Sequence, residues 1–121
     1  MRALLIAAAL LPVPAAAFAA DLSGQWKIDS SVGTTPITVN CTLAQSGQTL
    51  SGACTPAAGN SGPTSFSDGT VDGPKVAWGY DVTFAGKPAH VGFTADITSD
   101  TTMTGVLSLN GKPSPFTAAK R

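Results

Sequence analysis

His90 is the sole histidine of the chain, and its seven acidic residues, Asp21, Asp29, Asp68, Asp72, Asp81, Asp96 and Asp100, are all aspartates. Histidine is the commonest general acid or base in proteins, and paired carboxylates hydrolyse glycosides, so catalysis would have to start from these residues. A serine or cysteine nucleophile would need such a base within hydrogen-bond reach. Local alternation argues against both chemistries. In "AHVGFTADI" His90 lies on the side opposite Val91 and Phe93, while Asp29, Asp81 and Asp96 fall among Thr and Lys on the outward sides of their segments. Asp68, Asp72 and Asp100 stand at turns, where Asp caps its own backbone. Their spacing matches no calcium loop, which needs several converging oxygens. No catalytic residue, metal site or cofactor is expected, and the chain reads as a non-enzyme.

Both cysteines lie in one stretch, "CTLAQSGQTLSGAC", from Cys41 to Cys54. A redox or metal role needs closer spacing or more ligands. Around them Ile37, Val39, Cys41 and Leu43 alternate with Thr38, Asn40, Thr42 and Ala44, the period of a half-buried strand. With Gly47-Gln48 as a two-residue type II′ turn, Gly47 taking the positive φ, Gln45 faces Leu50, Leu43 faces Gly52 and Cys41 faces Cys54. Directly opposed Cβ atoms lie about 4.5–5.5 Å apart, a modest twist away from the disulfide mean of about 3.8 Å. A structural disulfide across this hairpin is expected.

The same two-residue period runs to the C-terminus. "SGQWKID" places Trp26 and Ile28 together. "TSFSDGTV" carries Phe66 and Val71 with a change of parity at Asp68-Gly69, which predicts a bulge. In "KVAWGYDVTF" Val76, Trp78, Tyr80, Val82 and Phe84 share one face. "AHVGFTADI" aligns Ala89, Val91, Phe93, Ala95 and Ile97, "TMTGVLSL" presents Met103, Leu107 and Leu109, and "SPFTAAKR" turns Phe116 inward. Turns are expected at Asp72-Gly73-Pro74, Ala85 to Pro88, Ser99-Asp100 and Asn110-Gly111, with a looser loop from Ala57 to Thr64. Eight short strands joined this tightly predict an all-β, antiparallel up-and-down barrel, which leaves no exposed edge. A β-sandwich is the alternative, although it usually needs longer Greek-key connections.

Ahead of these strands, Met1-Arg2, the apolar run Ala3 to Leu11 and Ala17-Phe18-Ala19 have the form of an export signal cleaved near Ala19. The apolar run is too short to span a bilayer. Residues 1–19 are therefore read as a signal peptide and 20–121 as a single barrel domain, periplasmic or secreted, where a disulfide persists. Without Arg2, six basic side chains stand against seven acidic ones, a net charge near −1. No basic patch is present to meet phosphates, so nucleic acid is a poor partner.

Gly24-x-Trp26 early in the chain, with Arg121 at its end, resembles the calycin barrels: lipocalins, avidins and bacterial metalloprotease inhibitors. That resemblance implies a barrel closed at one end by Gly24 and Trp26, with the basic Arg121 stacked over the indole. "DLSGQW" (Asp21 to Trp26) is similar to the opening of the secreted metalloprotease inhibitors, which also carry one early disulfide. Only Ala20, Asp21 and Leu22 would precede Ser23, a reach of about 10 Å at ~3.3–3.6 Å per residue, too short to fill a protease cleft. The whole domain more closely resembles small proteobacterial secreted barrels, sharing "GTVDGPKVAW" (Gly69 to Trp78) and a "PFTAAK" ending from Pro115. The expected function is an exported binding module using its loops or one open end, with Trp78 and Tyr80 as candidate ligand-lining residues. The alternatives are a metalloprotease inhibitor or a lipocalin-like carrier of a small apolar ligand. The partner is a secreted protein or such a ligand, and a monomer is expected.

Overall fold

The computed structural model describes residues 21–58, 62–84 and 86–121. The leader assigned to residues 1–19, Ala20, residues 59–61 of the looser loop and Ala85 lie outside the described residues, as does the side chain of Phe84. The strands are β1 (Gly24–Val32), β2 (Thr35–Ser46), β3 (Thr49–Pro56), β4 (Thr64–Asp72), β5 (Lys75–Phe84), β6 (Lys87–Ser99), β7 (Thr102–Leu109) and β8 (Lys112–Lys120). Each pairs antiparallel with its neighbour in sequence, and β1 also pairs with β8, closing the barrel in the order β1 to β8. The sandwich alternative is excluded.

The hairpin register is the one the cysteines imply. Gln45 pairs with Leu50, Leu43 with Gly52 and Cys41 with Cys54. Gly47 takes φ 61° in the turn. The Cys41–Cys54 bridge is formed, with Cα atoms 4.0 Å apart. The bulge also falls where the parity change puts it. Leu50 pairs with Gly69 but Gly52 pairs with Phe66, so β4 carries one extra residue there. That residue lets Phe66 and Val71, an odd number of positions apart, both face inward.

Two connections differ from expectation. Phe84 pairs with Lys87 and Thr83 with Pro88, so the Ala85 to Pro88 turn contracts to two residues. Ser99 belongs to β6, pairing with Thr102, and a second irregularity sits between Ile97 and Ser99. Pro88 is tolerated because it lies one residue from the strand end, where a missing N–H costs little.

The inward residues form one core cluster running from Leu22 to Ala118, with Trp26, Phe93, Ile28, Leu43, Leu50 and Met103 all but fully buried. Each such side chain contributes about 1.5–3 kcal/mol on leaving water. Phe66, Trp78 and Phe93 stack along one wall at centroid separations of 6.1 and 4.7 Å, and Phe116 meets Phe93 edge-on at 5.8 Å.

Candidate functional site

Antiparallel connections alternate between the two ends of a meander, and here the two ends differ. One end gathers the 47–48, 73–74 and 100–101 turns together with the start of β1 and the end of β8. It is plugged. Leu22 is fully buried there, and its N–H donates to Gln45 Oε1 at 3.0 Å. Trp26, also fully buried, donates its indole N–H to the Leu22 carbonyl at 2.8 Å. The cation over this indole belongs to Lys120, whose Nζ lies 5.8 Å from the ring centroid and donates to the Asp21 carbonyl at 2.9 Å. Arg121 is exposed and touches the wall through its backbone, donating its N–H to Gln25 O.

Parity explains why the penultimate residue takes the role. Trp26 and Lys120 are direct cross-strand partners and so share a face, whereas Arg121 falls on the other. Gly24, at φ 136°, lets the Lys120 stem pass: a Cβ there would stand 3.2 Å from Lys120 Cε. Asp21 caps the segment by accepting from the Ser23 backbone N–H at 2.9 Å. That bond, the Ser23 hydroxyl and nearby Lys120 hold its carboxyl below the usual range. Asp21 to Ser23 are thus pinned to the barrel.

The opposite end carries the 33–34, 85–86 and 110–111 turns and the loop after Pro56. Four of the partly buried apolar side chains against the core, Ile37, Tyr80, Val91 and Leu109, belong to its half of the barrel; Ile97 belongs to the plugged half. Tyr80 packs 6.4 Å from Phe66 and 5.9 Å from Phe93. Burial pushes its hydroxyl up to about 12, so at neutral pH it is a protonated donor. Two residues back along β5, Trp78 is 4 % exposed and its Nε1 has no hydrogen-bond acceptor. A buried unpaired N–H costs about 1–3 kcal/mol, so this donor is unsatisfied at a definite cost. Trp78 and Tyr80, singled out by alternation, are therefore brought onto one inward face, the Trp78 N–H buried and without an acceptor.

The outer wall holds a pairing that alternation did not disclose. Asp81 and His90 face each other across β5 and β6, and His90 Nδ1 lies 2.8 Å from Asp81 Oδ1. The signal was the length of the 85–86 turn: a two-residue connection fixes position 81 opposite position 90, whereas a four-residue turn does not. Both side chains are exposed, as the faces of their strands require. Among the described residues no three metal-ligating side chains converge, and no helix is long and apolar enough to cross a membrane.

The closed eight-stranded meander, with tryptophan and a basic side chain at its plugged end, is consistent with a calycin-like fold. Compared with family models, curated proteins and solved structures, the chain matches none of them.

Proposed function

We propose that the protein is an exported, non-enzymatic binding module that takes a small, largely apolar ligand at the half-covered end of its barrel. The observation that carries this reading is the Trp78 indole N–H, buried and without an acceptor. Binding sites are mostly apolar with a few placed polar groups. Here Ile37, Val91 and Leu109 supply apolar surface, while Trp78 Nε1 and the protonated Tyr80 hydroxyl supply donors. A ligand bearing a carbonyl or ether oxygen would relieve the unsatisfied donor. The disulfide and the leader-like N-terminus favour export, to the periplasm or beyond. The same end serves the carrier reading if the stacked rings part to admit a ligand. The inhibitor reading rests on "DLSGQW" and the early disulfide, and the pinning of Asp21 to Ser23 works against it.

Tryptophan fluorescence tests the proposal, because Trp26 is sealed at the far end and serves as an internal reference. Titration with apolar ketones such as acetophenone, camphor and a naphthoquinone should give saturable quenching. Trp78→Phe should remove it, and Tyr80→Phe should weaken binding about tenfold, the loss of one hydrogen bond of ~1.4 kcal/mol. Quenching that never saturates, or that persists unchanged in both variants, would overturn the proposal.

A further inference from the structure

Outside the barrel, β4 to β7 enclose a shallow groove of about 330 Å³, whose lining also takes in Trp78 and Phe93. Its sides present Asp68, Thr70, His90, Thr94, Val106 and Ser108, and its floor is the backbone around Gly79 and Gly92. These two glycines are direct cross-strand partners, so two adjacent side chains are missing from one spot of the wall.

A strand glycine has an energetic cost, and it usually marks a bulge, a close backbone approach or a ligand. Four of the described strand glycines are explained by backbone. A Cβ at Gly52 or Gly105 would collide with the Thr42 or Thr94 carbonyl, one at Gly69 would come within 2.8 Å of Leu50 O, and one at Gly79 within 2.9 Å of Val91 O. Gly92 has no such neighbour: the nearest atom to its missing Cβ is His90 Nε2 at 3.9 Å. Its pairing with Gly79 and with Ser108 is unbroken, so no bulge accounts for it either. The remaining reason is that something approaches the floor.

His90 is held ready beside it. Its backbone N–H donates to Asn110 Oδ1, and its backbone carbonyl accepts from the Asn110 backbone N–H, each at 2.9 Å. Asp81 holds Nδ1, so the free Nε2 edge lies over the glycines, 3.3 Å from where a Gly79 Cβ would stand. The Asn110 bonds fix the His90 backbone and Asp81 orients the ring, so less freedom is lost when the ring engages a ligand.

The lining selects the ligand's chemistry. Asp68 inside the groove and Asp81 behind His90 repel an anion. The absence of a third metal-ligating side chain among the described residues disfavours a cation. Three hydroxyls, an imidazole and a carboxylate alternate donors with acceptors, which matches a neutral ligand that also alternates them. A carboxylate can accept from two neighbouring hydroxyls at once, and a side-chain-free floor admits the flat C–H face of a ring. The volume lies at the small end of ligand sites. We propose that the groove over Gly92 is a saccharide-binding site in which His90 and Asp68 hold the sugar hydroxyls.

The test is amide-resolved NMR of the folded chain titrated with glucose, galactose, N-acetylglucosamine and maltose, and separately with inorganic phosphate. At least one sugar should give saturable shifts confined to Gly79, Gly92, His90 and Ser108, with phosphate giving none there. Gly92→Ala should leave the melting temperature unchanged or higher and weaken binding about tenfold. His90→Ala, whose exposed side chain the fold does not need, should weaken it by a similar factor. No saturable shift with any sugar, shifts elsewhere, a response to phosphate alone, or undiminished binding in both variants would each overturn the assignment. Trp78 also lines the groove, so the variants tell the two sites apart: Gly92→Ala and His90→Ala should leave the ketone quenching unchanged, and Tyr80→Phe should leave sugar binding unchanged.

Discussion

The Lys120 ammonium lies 5.8 Å from the centroid of the Trp26 ring and is tied to the Asp21 carbonyl at 2.9 Å. A single side chain from the last strand thus covers the first strand's tryptophan and fastens the segment that leads into it. A cation over an aromatic face at such a partly exposed position contributes about 0.5–1 kcal/mol, and a hydrogen bond from a charged donor adds about 1.5 kcal/mol. Lys120→Ala is expected to cost about 2 kcal/mol in urea denaturation. Arg121→Ala should change stability by less than about 0.5 kcal/mol, and the reverse ranking would show that the cation over Trp26 has been misassigned.

Cys41 and Cys54 staple one hairpin, so their effect lies largely in the unfolded chain. Replacing both with serine should lower stability by about 3 kcal/mol, the entropy of closing so short a loop. Reductant should lower the stability of the wild type similarly and leave the double variant unaffected.

Tyr80 is the only tyrosine in the chain, so phenolate absorbance reports it alone. Its ionisation should have a midpoint near 12 in the folded protein and near the ordinary 10.0 in urea. The folded value is raised, so the protonated phenol is the form the fold favours. The associated stability is complete below about pH 10 and is lost as pH rises through about 12. In Tyr80→Phe the absorbance change disappears, and this component of alkaline destabilisation disappears with it.

Asp81 and His90 are both well exposed, and surface ion pairs contribute about 0–1 kcal/mol. His90→Ala and Asp81→Asn should each shift the thermal midpoint only slightly, and a double-mutant cycle should give a coupling below about 1 kcal/mol. A large loss in either single variant would mean that the pair holds the wall together.

The alternation of apolar residues predicts all eight strands and their faces because one side of every strand is buried and the other wet. Register was legible only where a second constraint acted. Cys41 and Cys54 fixed the first hairpin, and the parity change between Phe66 and Val71 located the bulge on β4. At 85–88 no such constraint existed: Gly86 and Pro88 both suggest a turn, and Pro88 concealed that it already lay in β6. The Asp81–His90 pairing and the groove beside it were hidden by that one ambiguity. The exchange of Arg121 for Lys120 over Trp26 has a similar origin, since a one-residue step reverses the face. The unpaired Trp78 N–H could not be read at all, because it depends on what surrounds the ring in three dimensions.

β1 pairs with β8 over four positions, from Trp26↔Lys120 to Asp29↔Thr117. That seam joins strands from opposite ends of the chain, and it is the one contact that nothing local can guide. Until it zips, two bare strand borders stay open to any other polypeptide, and a chain clipped before Lys112 could never shut them. Such a fragment would recruit a strand from a second copy or polymerise, which makes an intact C-terminus a condition for staying dispersed.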